Sequence, residues 1–280
     1  MDFINWLFSS FDNPRVNQQW GLLHIAVLLS CIAIILILAF TVRKKSERFR
    51  KNTIAVLVFI ILAFELSRRA INIARPSLTD TELGTWKDWL YTLLPRPWCA
   101  ISCWLLIFSI FFNQKFLYNF ASMCALLCAI IFFAYPDAGF NNEIMEFENC
   151  YSIGTHALLL ITSVSMITLK MTEFRYVRGK ELKDTAVMEL ITYAIIFSYS
   201  IILIALDIES DPMYFMPGNG VIDVVGLPYP LYLLVYVVFI AFYFNLFYLI
   251  QRRADKIYEI NNTPRKKGQK RYGKTAKKRK

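Results

Sequence analysis

"GLLHIAVLLSCIAIILILAFTVRKKSERFRK", from Gly21 to Lys51, decides what kind of molecule this chain can be. Residues 21–42 are apolar almost without interruption, and six Lys or Arg residues then fall between Arg43 and Lys51. An apolar run of about 20 residues suffices to carry a helix across the hydrocarbon core of a bilayer. A basic cluster directly after such a run marks its cytoplasmic end.

Six further apolar runs follow, at 53–73, 97–113, 117–135, 151–170, 186–206 and 228–250. The run at 97–113 is short and turns into the next through Asn113–Lys115, "NQK", as a tight hairpin. Of the 280 residues 56% are hydrophobic and 16% aromatic, and the mean hydropathy is +0.43. Too little polar surface remains to cover a water-soluble domain. The expected fold class is therefore all-α, a polytopic membrane helix bundle of about seven transmembrane helices. It occupies residues 1–250, beginning with a short interfacial segment in which Phe3, Ile4, Trp6, Leu7 and Phe8 meet lipid. A signal peptide is not expected, since Met1–Pro14 has neither a basic n-region nor a small-residue cleavage site. Residues 251–280 form a basic tail, expected to be disordered.

Charge orients the bundle. The 43–52 loop, Lys115, the 170–185 loop and the tail after Gln251 hold 25 of the 31 Lys and Arg residues. The alternate loops are acidic, with Asp80, Glu82, Glu146, Glu148, Asp207 and Asp211 among their residues. The N-terminus is expected outside and the C-terminus in the cytoplasm, in a multi-pass protein of the cell membrane. The net charge of +10 is thus mainly a topology signal. The tail carries ten Lys or Arg between Pro264 and Lys280 but one aromatic residue, Tyr272. Anionic inner-leaflet lipids are its expected partner, and nucleic acid is not. Nothing in the sequence sets an oligomeric state.

Several chemistries lack their residues. There is no phosphate-binding Gly-x-x-x-x-Gly-Lys loop and no CxxC or HExxH metal motif. The last run has no Lys for a retinal Schiff base, and the two histidines, His24 and His156, lie on separate runs, a poor basis for haem ligation. No cofactor and no metal are expected. Cys31, Cys124 and Cys128 lie mid-run and read as small buried apolar residues. His24 reads as structural.

What remains gathers near the outer ends of the runs. Cys99 opens the run at 97–113, with Cys103 one turn below it on the same face. His156 lies about five residues inside its run, and Glu65 about seven residues from the outer end of its own, followed by Arg68 and Arg69. Ionisable groups at membrane depth are costly and face the bundle interior. Glu65 with Arg68 or Arg69 reads either as an intrahelical pair or as part of a site. His156 is either a hydrogen-bonding group between helices or a base. A thiol and an imidazole at one depth are the minimum for an activated thiolate nucleophile. Residues 152, 155, 156 and 159 share a helix face, so Ser152 and Thr155 should flank His156 on the interior side, while Leu158 and Ile161 point elsewhere. Glu65 would orient the imidazole, and Arg96, Trp98 and Tyr151 are candidate headgroup contacts. A disulfide from Cys99 to Cys150, both at the outer surface, is the competing use of that thiol.

Four stretches carry a resemblance: "LLPRPWCAIS" at Leu93–Ser102, "FFAYPDAG" at Phe132–Gly139, "FENCYSIGTHALLL" at Phe147–Leu160 and "DVVGLPYPLYLL" at Asp223–Leu234. In this order they resemble the YwaF-like integral membrane proteins of bacteria, which are similar in turn to a eukaryotic family of transmembrane phospholipid acyltransferases. The resemblance implies that Cys99 is the acyl carrier and His156 its partner. The chain departs from the usual bacterial Leu-Pro-Leu-His-Leu-Cys in having Pro97 where that histidine stands, with Arg96 and Trp98 beside it. The expected function is a lipid acyltransferase or lipid ester hydrolase acting through Cys99 and His156 on membrane lipids. The alternative is a non-enzymatic membrane carrier, with Glu65, Arg68 and His156 lining a polar path, or an accessory protein.

Reporter fusions test the orientation directly. A reporter at Lys180 or at the C-terminus should be cytoplasmic, and one at Asp211 external; a C-terminal reporter outside the cell would refute the assignment.

Overall fold

The computed structural model describes residues 21–74, 83–134, 147–172, 180–208 and 226–262, together with Pro76, Phe140 and Met213. The interfacial segment expected at Phe3–Phe8 and the tail after Asn262 lie outside these residues. Eight helices are described: α1 Leu22–Thr41, α2 Glu47–Ala74, α3 Trp86–Leu93, α4 Trp98–Phe112, α5 Lys115–Ala134, α6 Phe147–Thr168, α7 Lys180–Ala205 and α8 Tyr229–Asn262. There is no strand among the described residues.

Five helices are long and apolar enough to cross a membrane: α1, α5, α6, α7 and α8. A sixth span results if α3 and α4, bent by 61° to one another, count together. α2 is 28 residues long but carries Glu65, Arg68 and Arg69 within its apolar part, and α4 has only 15 residues. The molecule is a helical polytopic membrane protein. Two features differ from the sequence expectation. A short additional helix, α3, precedes α4, and α8 continues to Asn262 instead of ending near residue 250. The segment Gln251–Asn262 is rich in helix-forming residues and meets no Gly or Pro until Pro264, so the helix has no reason to stop. The basic segment is therefore helical over its first twelve residues instead of disordered from Gln251 onward.

α6 is the centre of the bundle and packs against α1, α2, α4 and α5. Its two flanks serve different cores. Leu159, Met166 and Leu169 join Ile54, Val58 and Ile61 of α2 and Cys103 and Leu106 of α4. Ile153 and Ile161 join Cys31 of α1 and Phe132, Phe133 and Phe140. α7 and α8 pack on each other, and α8 also touches α5. Tyrosine hydroxyls on these helices donate to backbone carbonyls across the contact: Tyr193 to Val237 at 2.7 Å and Tyr243 to Met123 at 2.8 Å. Such interhelical bonds count where lipid offers no competing partner.

The chain reverses through residues suited to it. Asn113 caps α4 with φ 50, a left-handed conformation that Asn tolerates, and its side chain accepts from Tyr118 at 2.8 Å. This is the expected "NQK" hairpin. α6 ends with Lys170 left-handed and Met171 N–H donating to Met166, and Arg50 at the start of α2 reaches the Leu169 carbonyl at 2.9 Å. The first turn of α2 thus meets the last of α6, so the two run antiparallel with Arg50 and Lys170 on one side. At the other end, Lys87 of α3 pairs with Asp207 after α7 at 3.0 Å.

α2 and α6 are in tight contact at Gly154, where a Cβ would lie 2.8 Å from the Phe64 ring. Phe64 itself stacks on Tyr151, centroids 5.6 Å apart. Gly154→Ala should displace Phe64 and lower stability by about 1–3 kcal/mol, the usual range for overpacking. Thermal unfolding of the detergent-solubilised variant measures it.

Candidate functional site

The most buried charge in the described bundle is Glu65 of α2, 1% exposed. A lone carboxylate there would be untenable, and both its oxygens are occupied. Oε2 accepts from Arg69 Nη1 at 2.5 Å, one turn along the same helix, and Oε1 accepts from the Tyr151 hydroxyl of α6. Of the two arginines that the sequence offered as partners, Arg69 makes the ion pair. Arg69 Nε also donates to the Leu93 carbonyl at the end of α3, at 3.0 Å, and the guanidinium lies 5.6 Å from the Trp104 ring. Arg68 lies 4.9 Å over the Tyr151 ring. One carboxylate thereby joins α2 to α6 and, through Arg69, to α3.

Cys99 is the second residue of α4 and is half-buried, whereas Cys103 one turn below is fully buried. Ser102 Oγ lies 3.3 Å from Cys128 Sγ of α5, which ties α4 to α5 just below. All six cysteines are free, so Cys99 is not bridged to Cys150.

His156 sits elsewhere in the packing. Its ring stacks flat on Phe132 of α5, centroids 3.8 Å apart and planes 6° from parallel, and Nδ1 is 2.7 Å from the Ser152 carbonyl. A carbonyl accepts only, so Nδ1 carries the proton and Nε2 is the nitrogen open to a further partner. The orienting group is thus a backbone carbonyl one turn away. Glu65, which accepts from Arg69 and Tyr151, shows no hydrogen bond to the ring among the described residues. Among the described residues no hydrogen bond joins Cys99 to His156.

The remaining expected residues divide. Thr155 and Leu159 are buried beside His156 and Ser152 is half-buried, as their shared face requires. Ile161 is buried too, at 6%, because α6 has neighbours on both flanks and its second face also looks inward. Tyr151 is buried and its hydroxyl donates to Glu65. Arg96 lies 3.0 Å over the Tyr91 ring and donates from Nε to the Tyr91 carbonyl at 3.0 Å. Trp98 packs at the junction of the α2–α4–α6 core and the α7–α8 core. His24 is fully buried against Phe133 and Phe140, centroids 5.9 and 4.7 Å away, in keeping with a structural role.

A buried ion pair beside a thiol-bearing helix start, inside an all-helical apolar bundle, defines a multi-pass membrane protein with a polar interior site. The TMEM164 family model matches residues 16–248, and the chain belongs to the TMEM164 family, a transmembrane protein family. No curated protein and no solved structure matches it.

Removing Arg69 while leaving Glu65 isolates a buried charge. Arg69→Ala should cost about 3–5 kcal/mol, and the apolar replacement E65L/R69M should recover most of the loss. Thermal unfolding of the three proteins in one detergent decides it; an Arg69→Ala protein of wild-type stability would show the pair to be dispensable.

Proposed function

We propose that the chain transfers acyl groups between membrane lipids, with Cys99 as acyl carrier and His156 as the acid–base group. The observation that carries this reading is the position of Cys99. It lies in the first turn of α4, which receives no side-chain cap from Pro97; the Pro97 carbonyl takes the N–H groups of Ala100 and Ile101, which leaves those of Trp98 and Cys99 at the head of the helix. A helix N-terminus favours a thiolate and offers donors to an oxyanion. The YwaF-like resemblance gives the same two residues the same roles.

The steps balance as follows. His156 Nε2 accepts the thiol proton as Cys99 attacks a lipid ester carbonyl; the C–S bond forms and the ester C–O bond breaks. The departing lysolipid oxygen takes the proton back from the imidazolium. A second lipid hydroxyl, or water in the hydrolytic variant, then attacks the thioester with His156 again as base, releasing the Cys99 thiolate. In this scheme the Cys99 thiol and His156 Nε2 come within hydrogen-bond reach of one another, directly or through one water, when the ester is bound. Phe132 holds the imidazole flat and the Ser152 carbonyl fixes its tautomer, so the ring is oriented before substrate arrives. The site opens to the external leaflet, and the basic segment beyond α8 faces anionic lipids of the inner one.

Full-length protein in vesicles with a fluorescent-acyl phospholipid should acquire a hydroxylamine-sensitive label. Cys99→Ala should abolish it, Cys103→Ala should retain it, and His156→Gln should slow it about 100-fold, the ordinary worth of a positioned acid–base group. Undiminished labelling of Cys99→Ala would end the proposal.

A further inference from the structure

α3 is a helix of eight residues that the membrane-span pattern does not require. It is well formed nonetheless. Thr85 and Asp88 make a reciprocal capping box, with Thr85 N–H donating to Asp88 at 2.6 Å. Both ends are fastened: Lys87 to Asp207 at 3.0 Å, and the Leu93 carbonyl to Arg69 at 3.0 Å. Its buried side is small, since Thr92 is the one buried residue in it and α2 is the helix it packs on.

The other side is apolar and uncovered. Trp86, Trp89 and Leu93 fall at positions i, i+3 and i+7 and share one stripe, with exposures of 58%, 41% and 46%. Two tryptophans and a leucine facing water would form an apolar patch of a kind that soluble surfaces avoid. The place of this stripe in the fold supplies a different neighbour. α3 lies at the end of the bundle where α4 begins, four residues before Trp98, and is inclined at 61° to α4. With α4 crossing the bilayer, α3 lies closer to the membrane plane than to its normal. Trp is the side chain that best suits the headgroup level, having an apolar body and an N–H donor.

We infer that α3 is an interfacial helix that seats Trp86, Trp89 and Leu93 in the headgroup–acyl boundary of the leaflet above Cys99. Its ligand is bilayer lipid. The inference is independent of the acyl-transfer reading, because it needs only the stripe, the inclination and the adjoining span. It has a mechanical corollary: Arg69 clamps the end of α3 to Glu65, so the depth of α3 in the leaflet and the position of the α4 first turn are set together.

The test reads these two tryptophans in the full-length chain, reconstituted in phosphatidylcholine vesicles carrying a spin label either next to the glycerol or at the end of the acyl chain. The emission lost between wild type and W86F/W89F should be quenched at least about twofold more by the shallow label than by the deep one. The single variants W86Y and W89Y repeat the reading if the double variant does not fold. Absence of quenching by either label would overturn the inference, as would stronger quenching by the deep label. Quenching that disappears as protein is concentrated in the vesicles would assign the stripe to a second copy of the chain, and would overturn it equally.

Discussion

A carboxylate with almost no exposure, deep in an apolar bundle, is the constraint around which one half of this protein is arranged. Glu65 is tolerable only because Arg69 and Tyr151 satisfy it, and each partner brings something with it. Tyr151 fixes the register of α6 against α2, helped by the stacking of Phe64 and the absence of a side chain at Gly154. Arg69 reaches on to the Leu93 carbonyl and so determines where α3 stops and α4 starts. The position of Cys99 follows from that start. The network joins three helices through one carboxylate, with Arg69 Nη2 buried and without a hydrogen-bond partner among the described residues.

The opposite half is held differently. There the α2–α4–α5–α6 core is apolar, and polar groups serve chain ends: Arg50 on the Leu169 carbonyl, Asn113 on Tyr118. α2 and α6 are consequently joined near both ends, by Arg50 at one and Glu65 at the other. Among the described residues α7 and α8 reach the rest of the bundle through the contact of α8 with α5 and through Asp207, which pairs with Lys87 of α3. His156 sits on the doubly fastened pair, and Cys99 on α4, which packs against both of its helices.

Most of the helices were legible as apolar runs because a membrane imposes a length on them. α3 was not, since eight residues with Lys87 and Asp88 make no run, and its signals are a capping box and an aromatic stripe. The Glu65–Arg69 pair was readable from its spacing of four, but Tyr151 is 86 positions away and nothing local announces it. The interior face of α6 followed from its polar residues. That its other face is interior as well did not, because Ile153 and Ile161 read the same against lipid as against Phe132. For His156 the depth was legible and the aromatic partner was not. Its neighbour Phe132 is one of 23 phenylalanines in the chain, and only packing selects it.

The spacing within α2 bears on how the protein is made. Chains emerge N-terminus first, and helix α2 must enter the membrane long before α6 has been synthesised. During that interval Tyr151 does not yet exist, and an unaccompanied glutamate would oppose insertion. Arg69, one turn further along the same helix, travels with Glu65 from the start and neutralises it. α2 can therefore be delivered to the bilayer as a self-contained pair, and the tyrosine completes the carboxylate only when the later helix arrives.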